Sequence, residues 1–228
     1  MALRLSSRMR TFYATYLPIG DYLGEMFYAV WMVVVSLGIL GGTGFEGGAI
    51  AYVVLIAFMV NIGWGLIDGL TVMHTNIIER ARSDKIIFNL QTVGDPRSRK
   101  AGADALSEGI TSTLSSEDQE KVLDMIAATP PPQEDPATKP YHPKREDWDY
   151  AIGILSIDFL LVIPLIAPFL LFSEPTQALY LSRIMATVIF AVIGASYARQ
   201  LNRRRWLAAL FLGTICASLF TLVFLAGW

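Results

Sequence analysis

Charge is scarce in this sequence. Asp, Glu, Lys and Arg make up 17% of its 228 residues, whereas a soluble domain carries about 25%. Hydrophobic residues make up 54%, and mean hydropathy is +0.47. This balance excludes a soluble globular enzyme and a disordered chain. The same balance excludes a basic nucleic-acid binder, and a net charge of −2 says little about partners. Cysteine is nearly absent: Cys216 alone gives no disulfide framework and no Cys-based zinc site. The only histidines are His74 and His142, so no haem-type His pair lies within an apolar run. HExxH, GxSxG, Walker and CxxC motifs are all missing. Gly41-Gly42-Thr43-Gly44 lacks a following Lys and reads as a loop. No enzyme and no firmly bound cofactor are expected.

What is present is a set of long apolar runs. Five stretches, 22–42, 49–73, 150–172, 177–198 and 206–227, reach the roughly 20 residues that cross a bilayer as a helix. The runs are continuous rather than alternating, which argues against a β-barrel. The first is too long for a cleavable signal and lacks a small-residue cleavage site. All but one of the 18 Lys and Arg fall in three places: the arm with Arg4, Arg8 and Arg10, the segment 74–149, and the loop 199–205. The connections 43–48 and 173–176 carry none. Positive charge is retained in the cytoplasm, which places the N-terminus there and the C-terminus outside. Trp148, Tyr150, Trp206 and Trp228 stand at the expected interfaces. The expected fold is an all-α membrane protein of five transmembrane helices with a cytoplasmic helical insert between helices 2 and 3. Its parts are a basic amphipathic arm at 1–20, helices 1–2 at 21–73, the insert and a Pro-rich linker at 74–149, and helices 3–5 at 150–228. The arm is either a short helix on the inner leaflet, ending before Pro18, or a mobile tail.

Within the insert, the second span is predicted to continue as a helix through Ile77, Ile78, Ala81, Ile86 and Leu90 until Gly94 stops it. Asp95-Pro96 forms a start signal for a helix at 96–113. Ser116 with Gln119 reads as a capping box for a helix at 117–127, burying Val122, Leu123, Ile126 and Ala127. Six prolines between Thr129 and Pro143 predict an extended linker. The insert is either a docked helical module or a loose regulatory tail.

Ionisable groups inside spans cost about 2.5–3.5 kcal/mol each at a helix centre and are functional candidates for that reason. Asp21 and Glu25 share one face of the first span. Asn61, Gly65 and Asp68 share one face of the second. Asp158 lies in the third span and Arg183 in the fourth. At about 1.5 Å per residue, Glu25, Asp68 and Asp158 fall at similar depth in the cytoplasmic half, with Asn61 nearer the midplane. Oxygen groups converging from several helices suit a hard or borderline cation, and the candidate metal ligands are therefore Glu25, Asn61, Asp68 and Asp158. Met26, Met32, Met59 and Met73 stand on the same two helices as soft ligands or as filler. The plainer reading gives these groups structural work. Asp21 caps its helix, Glu25 snorkels and Asp158 holds helices together, while Arg183 snorkels outward toward Glu174 or approaches Asp158. Pro164 and Pro168 predict a kinked third span. The stripes Gly65/Gly69, Thr187/Ala191/Ala195 and Ala209/Gly213/Ala217 predict close helix contact, within the chain or in a homodimer.

Two spans, a helical insert and three further spans resemble the layout of the vacuolar iron transporter family. Asp68-Gly69-Leu70-Thr71-Val72 resembles that family's Asp-Gly-Leu-Thr signature, which the family carries in its first span. Asp21-Tyr22-Leu23-Gly24-Glu25, Asn61-Ile62-Gly63-Trp64-Gly65-Leu66-Ile67-Asp68-Gly69 and Glu79-Arg80-Ala81-Arg82 are similar to bacterial membrane proteins loosely grouped with it. The resemblance implies a homodimer in a bacterial inner membrane that exchanges Fe(II) or Mn(II) for protons. The alternative is a non-transporting membrane scaffold that meets a protein partner through its insert.

Overall fold

The computed structural model describes residues 11–42, 49–108 and 110–225; its regular elements are all helices, with no strand among the described residues. After a short helical stretch at 11–16 come α1 (Ile19–Gly42), α2 (Ala49–Thr92), α3 (Pro96–Glu108), a 3₁₀ turn (Ile110–Thr113), α4 (Ser116–Ala128), α5 (Arg145–Leu171), α6 (Pro175–Gln200) and α7 (Arg205–Leu225). Among the described residues, four helices are long and apolar enough to cross a membrane: Val54–Thr92 within α2, Arg145–Leu171, Pro175–Gln200, and Arg205–Leu222 within α7. The remaining expected span is the 24-residue α1, which carries Asp21 in its first turn. Contacts divide the chain into two compact units, one reaching Thr71 and resuming at Trp148, the other Val72–Asp147.

The first unit is held by apolar side chains from all of its long helices. Val30, Val33 and Leu37 of α1, Ala57 of α2, Val162 and Leu165 of α5, Phe190 of α6, and Cys216 and Phe220 of α7 share one buried cluster. Small residues set the helix approaches. Gly69 lies against Ala151, where a Cβ would come 2.9 Å from the backbone oxygen. Gly213 faces Ala191 and Thr187, and Gly194 faces the backbone of Ala208. The small-residue stripes therefore pair within the chain, α2 with α5 and α6 with α7. Pro at N1 opens α6, and Asn202 in the left-handed region (φ 52°) closes it, with Arg203 N–H on Ala198 O at 2.7 Å. Helix α5 remains one element through Pro164 and Pro168, and Pro168 is fully buried.

The described part of the arm is docked. Tyr13 Oη and Ser156 Oγ share a 2.8 Å hydrogen bond, and Leu17 packs with Ile154 and Ile157 against α5. Gly153 makes this possible, because a Cβ there would collide with the Leu17 side chain. The basic residues Arg4, Arg8 and Arg10 lie outside the described residues, as do the 43–48 loop and Trp228.

In the second unit, Gly94 (φ +60°) ends α2 as expected. Asp95 caps α3 by accepting from Ser98 N–H at 2.7 Å. The expected 96–113 helix stops at Glu108, and Ile110–Thr113 tightens into a 3₁₀ turn. The next cap is Ser115, one residue earlier than expected, with its oxygen accepting from Asp118 N–H at 3.2 Å. Gln119 does not close a capping box; its amide donates to Thr111 O and Leu114 O. Leu90, Gly102 and Leu123 form the small core, where a Cβ on Gly102 would meet Leu123 at 2.8 Å. Arg99 bridges Glu120 and Asp124 across α3 and α4. The Pro-rich segment is docked on α2: Pro136 is buried, Tyr141 donates to Asp84 at 2.9 Å, and Lys139 approaches the same carboxylate at 3.8 Å. Arg80 then makes two 2.7 Å bonds to Asp147, whose carboxylate also accepts Lys144 N–H at 2.6 Å.

Candidate functional site

Three helices of the first unit bring polar groups into its apolar interior. Asn61 is completely buried on α2 and donates through Nδ2 to Ala29 O of α1 at 3.0 Å, which leaves its Oδ1 without a partner. This bond ties α2 to α1. One turn on, Gly65 faces Asp158 of α5, and a Cβ at Gly65 would collide with that carboxyl group. Asp158 has no exposure, and neither of its oxygens has a hydrogen-bond partner. Glu25 of α1 is buried with its Oε2 unpartnered, and the half-buried Asp68 of α2 lies beside it. Asp158, Asp68 and Asp21 are the charged neighbours of Glu25, and Asp68 is that of Asp158.

The local reason is helical spacing. Asn61, Gly65, Asp68 and Gly69 recur at three- and four-residue intervals, so they share the face of α2 turned to α1 and α5. Glycine at 65 makes room for a carboxyl on the opposing helix, and glycine at 69 brings the backbones together. All four sequence-nominated residues, Glu25, Asn61, Asp68 and Asp158, are thus found on the facing surfaces of α1, α2 and α5. No three His, Cys, Asp or Glu side chains among the described residues stand close enough together to hold a metal ion.

Like charges held close together repel, so a proton or a cation between Glu25 and Asp68 would relieve that repulsion. The unpartnered oxygens of Asp158, Glu25 and Asn61 are acceptors available to such a cation. Buried polar groups are almost always bonded in proteins, and this concentration of unbonded oxygens marks the region as chemically unfinished.

Other expected contributors stand elsewhere. Met59 is 58% exposed on the outside of α2, and Met26 packs on the cluster of Leu17, Ile154 and Ile157. Asp21 serves as acceptor for the Tyr150 hydroxyl, which ties α1 to the start of α5. Among the described residues no ion pair joins Arg183 to Glu174 or to Asp158; its guanidinium lies 5.4 Å from the Phe220 ring centre. Sequence reasoning missed Tyr13, Ser156 and the Tyr150–Asp21 contact. The cluster of Phe12, Tyr13 and Tyr16 beside the first span was the available signal for docking. Comparison with family models, with curated proteins and with solved structures finds no match.

Proposed function

We propose that this chain is an integral membrane transporter that exchanges a divalent cation, Fe(II) or Mn(II), for protons. The observation that carries the reading is Asp158, a fully buried carboxyl with two unbonded oxygens, set beside the Glu25–Asp68 pair and the free Oδ1 of Asn61. A static scaffold gains nothing from such a group, since an apolar side chain of similar volume would avoid its desolvation cost. A transporter needs groups that release a proton when a cation arrives, and metal binding to carboxylates has that coupling built in. Glu25 and Asp68 are the cation ligands in this reading, Asn61 a neutral oxygen ligand and Asp158 the third carboxyl or proton carrier.

In the proposed topology α1 also crosses the membrane, which makes five spans. The N-terminus and the 72–147 unit face the cytoplasm of a bacterial inner membrane and the C-terminus faces outside, following the distribution of Lys and Arg. The resemblance to vacuolar iron transporters extends the reading to a homodimer. The test is uptake of Fe(II) and Mn(II) into liposomes holding the purified protein and a quenchable dye, with and without a pH gradient. Gradient-dependent entry lost in Asp68→Asn and in Glu25→Gln supports the assignment. Wild-type entry in both variants removes it.

A further inference from the structure

The bundle also holds a cation that this path does not use. Arg183 sits about 12 Å along α6 from Pro175, well inside the apolar helix. Its Nε is buried without a hydrogen-bond partner, and among the described residues no carboxylate forms an ion pair with it. Beside it runs an open groove of about 490 Å³ between α6 and α7, lined by Tyr180, Arg183, Ile184, Thr187, Val188 and Phe220 among others. The groove opens outward, because Ile184 and Val188 on its lip are 60% and 56% exposed. Helical side chains tilt toward the helix N-terminus, so Arg183 is directed toward the Pro175 end, where α6 meets a membrane surface.

A cation in an apolar wall is offset by an anion, and the groove faces the medium that supplies amphipathic ones. Its apolar lip suits an acyl chain. Its cation and the Tyr180 hydroxyl suit a phosphate at the upper end. We propose that this groove binds one anionic phospholipid of the surrounding bilayer, with the lipid phosphate on Arg183 and an acyl chain along Ile184 and Val188. The proposal rests on the membrane reading of α6 and α7 and not on cation transport, so either can fail without the other.

The experiment is native mass spectrometry of the full chain, presented with equal phosphatidylglycerol and phosphatidylcholine in mixed micelles. One cation near the membrane surface corresponds to a roughly fivefold preference for the anionic lipid. Arg183→Gln should abolish that preference, and Val188→Trp, which fills the groove and leaves the arginine, should reduce lipid retention. Arg199→Gln, at the far end of α6, should leave both unchanged. Should Arg183→Gln fail to fold by circular dichroism, Val188→Trp decides. An unchanged preference in Arg183→Gln overturns the proposal, as does full lipid retention in Val188→Trp. Equal protection of the protein by inorganic phosphate alone overturns the lipid in favour of a free anion. Loss of a dimer in Arg183→Gln with lipid binding intact assigns the arginine to a second copy and also overturns it.

Discussion

Gly65 and Asp158 occupy one another's space: the carboxyl of α5 sits where any side chain on this residue of α2 would have to be. The fit explains why glycine, a weak helix former, stands opposite Asp158.

Gly65→Ala is expected to lower stability by about 1–3 kcal/mol, the usual cost of overpacking a filled interior. Gly63→Ala is the control. A Cβ at Gly63 meets nothing within 4 Å, so alanine there should be neutral or raise stability by up to about 1 kcal/mol through helix propensity. Thermal unfolding of both variants in detergent checks the difference. Equal midpoints would contradict the close approach of α2 and α5.

Asn61→Leu removes the bond to Ala29 O and the unpartnered Oδ1 together. Because both polar ends are lost at once and the volume is kept, unfolding should change by less than about 1.5 kcal/mol. In the proposed path Asn61 supplies a ligand oxygen, so cation entry should nonetheless fall. Unfolding and uptake measured on the same preparation separate these effects, and unchanged uptake would remove Asn61 from the path.

The second unit should respond to acid through Asp147. Its carboxyl is held below the usual carboxylate range, chiefly by the Arg80 guanidinium and also by Lys144 N–H, against a smaller opposing effect of burial. A group with a depressed value in the folded state stabilises the fold above its ordinary pKa. That contribution disappears as pH falls below about 4. Hydrogen exchange of the amides around Arg80 and Lys144 should therefore be flat from neutral pH to about 5, after correction for the intrinsic rate, and accelerate below about 4. Asp147→Asn should abolish the acid-dependent step. Arg80→Gln, which leaves a buried carboxylate short of two bonds, should cost about 1.5–3 kcal/mol.

Ser115→Ala should cost α4 about 1 kcal/mol by exposing the Asp118 N–H. Ser116→Ala should cost little, because Ser116 is inside the helix and Ser115 is the cap. Exchange at the Asp118 amide distinguishes them, and the reverse order would restore the cap expected from the sequence.

Sequence periodicity carried much of this architecture because lipid leaves the backbone few options. An apolar run of span length has to satisfy its hydrogen bonds internally, so helices α2, α5, α6 and α7 were legible from hydropathy. The left-handed stop at Gly94 and the cap at Asp95 were legible from local chemistry. The Ser115–Ser116 choice was not, because two adjacent serines offer the same oxygen and only the preceding 3₁₀ turn decides between them. The Asp158–Gly65 relationship was half legible. Helix spacing put Asn61, Gly65 and Asp68 on one face, but which helix they meet is a tertiary fact. The partner of Gly153 was hidden for the same reason: Leu17 is 136 positions away in the chain, and no local pattern links them. The fate of Arg183 needed coordinates, since residue order gives depth but not the identity of the neighbouring Phe220.

The central claim of the proposed function is that divalent-cation entry past Glu25 and Asp68 is coupled to proton movement the other way. The measurement is paired recording of lumenal pH and lumenal Mn(II) in liposomes containing the purified protein, with no imposed gradient. The account requires Mn(II) entry to drive protons out of the lumen in fixed proportion, and both fluxes to vanish together in Asp68→Asn. Mn(II) entry with no proton movement, from wild-type protein, would contradict it.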